Sequence, residues 1–109
     1  PEPDGIVLNR PAGSLAGVPT PSDIRLLIEA ADSTLNYDLM VKAALYARAQ
    51  IAEYWVVSLP ERRLYVHRRP EDGVYRNIAS YSEHDTVSPF DDASRAMAVS
   101  ALLPAGPNE

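Results

Sequence analysis

The 109-residue chain contains no cysteine. That excludes disulfide staples and thiolate metal sites. It has two histidines, His67 and His84, too few for a zinc cluster. No apolar run approaches the roughly 18 residues that a membrane helix needs, and no signal peptide is evident. The expectation is a cytoplasmic protein with no membrane partner. A Gly-rich phosphate loop, a nucleophile elbow and a metal-binding histidine pair are all missing. Positive charge is scarce as well. Ten Lys and Arg residues face fifteen Asp and Glu, a net charge of −5. That speaks against an overall basic duplex-binding surface and leaves room only for a local patch, for which Arg62, Arg63, Arg68 and Arg69 qualify. The scarcest charged type is lysine: nine of the ten basic residues are arginine and Lys42 is the other. A compact ammonium is chemically distinct from a planar guanidinium, so its single use in this chain draws notice.

What is present fits one small globular domain over residues 1–109. Apolar residues make up 46% and charged residues 23%, enough of each to close a core and solvate its surface. The chain opens Pro-Glu-Pro-Asp without methionine and so reads as a fragment or a trimmed piece. A short strand over residues 5–9 is followed by a Pro- and Gly-containing loop over 10–22, long enough to raise suspicion of a functional or mobile segment. Residues 24–31 form a strand whose consecutive Leu26, Leu27 and Ile28 imply burial on both faces. Ser33 or Thr34 then caps a helix over residues 35–50, rich in alanine. Glu53 to Leu59 is an aromatic and β-branched strand. Strand, helix, strand with this crossover predicts a right-handed βαβ unit with parallel strands. Strands over 64–69 and 74–80, joined by a Pro70-Glu71-Asp72-Gly73 turn, extend it as an antiparallel meander. The alternation in 64–69 predicts one solvated face, with His67 on it. Residues 86–88 read as a strand-like piece. Residues 91–103 are ambiguous: Asp91 to Ser94 can cap a helical turn, and Ala98 to Leu103 can form a last strand. The fold class is α/β, in its α+β form: a mixed sheet with one main helix.

Chemistry concentrates between Asp23 and Tyr46. Glu29 sits inside an apolar strand, where a carboxylate is costly unless something pairs with it. Asp38, Lys42 and Tyr46 follow at four-residue spacing on the helix. If the first two strands pair antiparallel, Asp4 at the entry of one and Glu29 near the end of the other can converge. Two carboxylates make a hard oxygen site suited to Mg²⁺ or Mn²⁺. Lys42 could then orient an attacking water or stabilise a pentavalent phosphate. Spacing alone is equally met by a plain buried ion pair between Glu29 and Lys42, with Asp38–Lys42 as an ordinary i,i+4 pair.

The order Pro3-Asp4, an apolar strand bearing Glu29, then Asp38, Lys42 and Tyr46, then Glu53-Tyr54-Trp55-Val56-Val57 resembles the Uma-type restriction endonucleases. That family belongs to the PD-(D/E)xK nuclease superfamily, whose fold is a restriction-endonuclease-like mixed sheet flanked by helices. The resemblance implies a metal-dependent endonuclease that hydrolyses DNA phosphodiester bonds. It implies Asp4, Glu29 and Lys42 as catalytic residues, Asp4 and Glu29 as ligands of Mg²⁺ or Mn²⁺, and Asp38 and Tyr46 as supporting residues. In the superfamily's plain motif a lysine stands two residues after the acid. Here that position is Ala31, and the resemblance moves the lysine to the helix, at Lys42. Asp32 stands where the family usually has serine. Members usually carry a further section before the Pro-Asp pair, so the chain is expected to represent the C-terminal two-thirds of the family fold. An uncovered sheet edge left by that section makes a homodimer plausible. The alternative function is an inactive, truncated nuclease-fold interaction domain that dimerises.

Overall fold

The computed structural model describes residues 5–8, 24–32 and 35–104, with side chains described from residue 24 onward. Five strands form one mixed sheet in the order β1-β2-β3-β4-β5: Gly5–Leu8, Ile24–Ala31, Glu53–Ser58, Arg63–Glu71 and Val74–Ser82. β1 runs antiparallel to β2, with Gly5 opposite Ile28. β2 and β3 are parallel, and β3, β4 and β5 form the antiparallel meander. This is the expected α+β architecture. A single helix, α1, spans residues 35–48 and crosses from β2 to β3.

The sheet is covered on both faces. Against one face lies α1, whose Ala43 and Ala47 pack with Leu27, Ala31, Tyr54, Val56 and Tyr75. Small alanines let the helix backbone approach the strands closely, and the same residues favour helix intrinsically. Against the other face lies the C-terminal segment. It consists of the two-residue strands β6 (Thr86–Val87) and β7 (Met97–Ala98), paired with each other, and short 3₁₀ turns. Its Val87 and Val99 bury against Leu26, Trp55, Val57, Leu64 and Val66. Every residue of β3 is therefore buried, as its aromatic and β-branched composition requires.

The boundaries depart from expectation in three places. The helix ends at Arg48 because Gln50 adopts a left-handed conformation (φ 62°). The N–H of Ile51 then bonds to the carbonyl of Tyr46 and the N–H of Gln50 to that of Ala47, which is the Schellman pattern. β4 continues through Pro70 to Glu71. Pro70 is tolerated because β3 has already ended opposite Arg68, so no ladder donor is needed on that side. Asp72 and Gly73, both at positive φ (53° and 80°), close a two-residue hairpin of the type that matches strand twist. The expected last strand over 98–103 is instead β7 followed by a 3₁₀ turn at Val99–Leu102. The expected turn near Asp92 is present: its side chain accepts from the Ser94 N–H and caps Ala93–Arg95.

Candidate active site

Alternation along β2 places Leu27, Glu29 and Ala31 on the helix side. Glu29 is only 2% exposed. Above it, α1 brings Asp38, Lys42 and Tyr46 to one stripe. Nζ of Lys42 lies 2.8 Å from Oε1 of Glu29 and 3.1 Å from Oδ1 of Asp38. The Tyr46 hydroxyl donates to Oε2 of Glu29 at 3.2 Å. Both carboxylate oxygens of Glu29 are thus engaged from the helix. Asp38 and Lys42 are themselves buried, at 1% and 8% exposure.

The helix is not uniform where this happens. Residues Asp38–Lys42 form a π turn, and the Ala43 N–H bonds back to the Asp38 carbonyl five residues earlier. Asp38 and Lys42, four apart, still share one face. The Tyr54 hydroxyl also donates to the Asp38 carbonyl, at 3.4 Å, as a second donor to that oxygen. Tyr54 meets Tyr46 edge to face, with ring centroids 4.9 Å apart.

The electrostatics follow from this enclosure. Burial alone would lower the Lys42 pKa, but the hydrogen bonds and charges of Glu29 and Asp38 outweigh it and hold the ammonium well above the usual lysine range. Lys42 is therefore cationic across the neutral range and cannot accept a proton there. Burial, with the Glu29 charge second, pushes the Tyr46 hydroxyl up, so it remains a donor. Burial does the same to Tyr54.

Of the residues singled out in the sequence, Glu29, Asp38, Lys42 and Tyr46 converge. Asp4 lies outside the described residues. It precedes Gly5, whose register partner Ile28 adjoins Glu29. Ala31, which occupies the plain motif's lysine position, is fully buried beneath the helix. The ammonium instead reaches the acid from α1. Asp32 is exposed. His67 differs from expectation: it is buried at 1% exposure, on the helix side, with Nδ1 2.9 Å from the Tyr54 carbonyl and its ring beside Tyr54 and Tyr75. Because a carbonyl only accepts, Nδ1 carries the proton. Burial lowers the His67 pKa, opposed by that bond.

The arginine patch also differs from expectation. Arg62 pairs with Glu83 at one end of β4 and Arg63 bonds Ser80 Oγ, whereas Arg68 and Arg69 lie five or more residues further along the strand. That is about 16 Å. Tyr54 was the residue the sequence hid. In a strand this apolar, only its hydroxyl hinted at a polar contact inside the core.

Among the described residues, no three or more His, Asp or Glu side chains converge as a metal cluster. The donors that do converge on Lys42, Glu29 and Asp38, are carboxylates, and hard divalent ions such as Mg²⁺ and Mn²⁺ take such oxygen ligands.

Residues 1–100 match the family model for Uma2, described as "Putative restriction endonuclease". The chain belongs to the Uma2 family. A nuclease-like role follows from that membership at the level of the family, and DNA is the substrate class it suggests. No curated protein matches the chain. No helix among the described residues is long and apolar enough to cross a membrane.

Proposed function

We propose that this Uma2 chain is a divalent-metal-dependent DNA endonuclease, with its chemistry at Glu29 and Lys42. The observation that carries the proposal is the 2.8 Å contact between the chain's only lysine and a buried strand acid, in a member of an endonuclease family. In this reading Glu29 and Asp4 hold Mg²⁺ or Mn²⁺. The bound ion would lower the pKa of a water and offset phosphate charge. Lys42, held protonated, acts as a fixed positive charge. It faces the negative charge that builds on the phosphate oxygens as water adds to phosphorus and one P–O ester bond breaks. Asp38 and Tyr46 orient the pair: Asp38 holds the ammonium from the helix side, and Tyr46 fixes the Glu29 carboxylate. The test is nicking of supercoiled plasmid with Mg²⁺ or Mn²⁺, beside calorimetric titration of each ion. Glu29→Ala and Lys42→Ala are expected to lower cleavage by about 10²-fold or more. Unchanged cleavage in both would sink the assignment.

A second reading is a non-catalytic interaction domain that dimerises. It is favoured by one observation: Tyr37, Met40, Val41 and Leu45 on the outer side of α1, with Val74 and Ile78 on edge strand β5, are all exposed. Apolar side chains gathered at an exposed edge mark contact surfaces. A dimeric mass in solution, together with no affinity for Mg²⁺ or Mn²⁺ at millimolar concentration, would select it.

A further inference from the structure

On the sheet face away from α1, at the far end of β2 from Glu29, a cavity of about 470 Å³ opens between the sheet and the C-terminal segment. Its walls include Arg25, Arg68, Arg69, Phe90, Glu53 and Asp91. We infer that this cavity is a phosphate-binding site separate from Glu29 and Lys42, taking the phosphate of a nucleotide unit.

Three observations support it. The first is how the arginines are held. β2 skips Arg25 in its pairing with β1, so that Val7 faces Leu26 and Leu8 faces Ile24. Such a bulge re-aims a side chain, and the Arg25 guanidinium lies 3.9 Å over the Phe90 ring. Arg68 is fixed by Glu53, at 3.0 Å from Nε, and by the Ser88 carbonyl, at 2.5 Å from Nη2. Glu53 is 5% exposed and accepts from the Trp55 indole at 2.8 Å as well. A guanidinium carries five N–H donors, and these two bonds use two of them. Pre-oriented guanidinium groups are what anionic oxygens bind best.

The second observation is charge. Three arginines line the cavity against two acids; Glu53 is matched to Arg68, and the exposed Arg69 also reaches Glu71 outside the cavity at 3.7 Å. In a chain of net charge −5 this is a local positive site.

The third is backbone strain. Of the six non-glycine residues with left-handed backbone among those described, four line this cavity: Gln50, Arg69, Phe90 and Asp91. Such conformations each cost about 1–3 kcal/mol and gather where a ligand site constrains the chain. The volume suits one nucleotide rather than a bare ion. The choice of a nucleotide unit among phosphate carriers rests on the nuclease reading; the anion site itself does not.

The test uses the chain's single tryptophan, whose indole N–H touches Glu53 and so reports on Arg68. ¹H–¹⁵N spectra of the full chain in EDTA are followed while adding inorganic phosphate, thymidine monophosphate or a short oligothymidylate. All three are expected to move the Trp55 indole peak. Arg69→Ala, at a side chain 71% exposed, and Arg25→Gln should each weaken binding by about tenfold. Tighter, salt-dependent binding of the oligomer identifies a nucleic-acid strand as the source, whereas equal binding of monophosphate and oligomer identifies a free nucleotide. No shift with any probe, or equal affinity in both variants, overturns the site. Glu29→Gln is titrated in parallel. Its expected unchanged phosphate binding, with cleavage assayed separately, keeps a failure of this site distinct from a failure of the nuclease reading.

Discussion

Replacing Lys42 by methionine tests whether the ammonium is the charge that makes the interior under α1 viable. Methionine approximates the lysine stem in volume, so packing changes little. What disappears is the ammonium that pairs with both Glu29 and Asp38. Their side chains are 3% and 2% exposed, too enclosed for water to replace it. Removing one partner of a buried ion pair costs about 3–5 kcal/mol, and a loss in that range is expected near pH 7. With a urea slope of about 1–3 kcal/mol/M for a small protein, the unfolding midpoint should fall by roughly 1–5 M. Glu29→Gln combined with Lys42→Met removes one of the two buried carboxylate charges and should recover part of the loss, a coupling of about 0.5–3 kcal/mol. A Lys42→Met variant that loses less than about 1 kcal/mol would refute the burial argument.

Two further outcomes are expected. Gln50→Gly should stabilise the fold by about 0.5–1 kcal/mol, because glycine adopts the left-handed C′ position without steric cost; the melting temperature reads it, and a fall would contradict the Schellman assignment. His67 is buried neutral with a lowered pKa, so the unfolded chain takes up its proton first. Stability is then complete above about pH 6.5 and falls below it by at most about 1.4 kcal/mol per pH unit. His67→Gln should flatten that part of the profile in urea melts between pH 5 and 7.5, and an unaltered slope would assign it to other groups.

The sequence was legible where one period ruled one element. The apolar run of β2, the alanine-rich helix and the aromatic β3 are each dictated by local composition, and Glu29 under Lys42 followed from the strand and helix periods together. Two things were not legible. The alternation in β4 looked half-solvated because neither cover is local to it: residues 86–103 lie over Leu64 and Val66, and the His67 face is closed by α1 together with Tyr54 and Tyr75. With both faces covered, His67 is buried. The arginine cavity was hidden for a related reason: a bulge at Arg25 and left-handed residues at Arg69 and Phe90 reverse the side to which these residues would otherwise point. Broken periods leave no trace in a pattern search.

The single lysine now has a physical reason in a chain that otherwise uses arginine. Between Glu29 and Asp38 the cation must serve two carboxylates, one from the strand below and one from the helix turn it shares. A planar guanidinium presents its donors in one fork and binds one carboxylate best, side by side. An ammonium is compact and carries three donors on rotatable geometry. It donates to Glu29 and lies within ion-pair distance of Asp38. Positions four apart share one helix face, so Asp38 reaches the ammonium from the helix while Glu29 reaches it from the strand. The Tyr54 hydroxyl donates to the Asp38 carbonyl within the π turn of this stretch. Lys42→Arg therefore keeps the charge yet removes the fit, which is why charge alone does not explain the residue at this position.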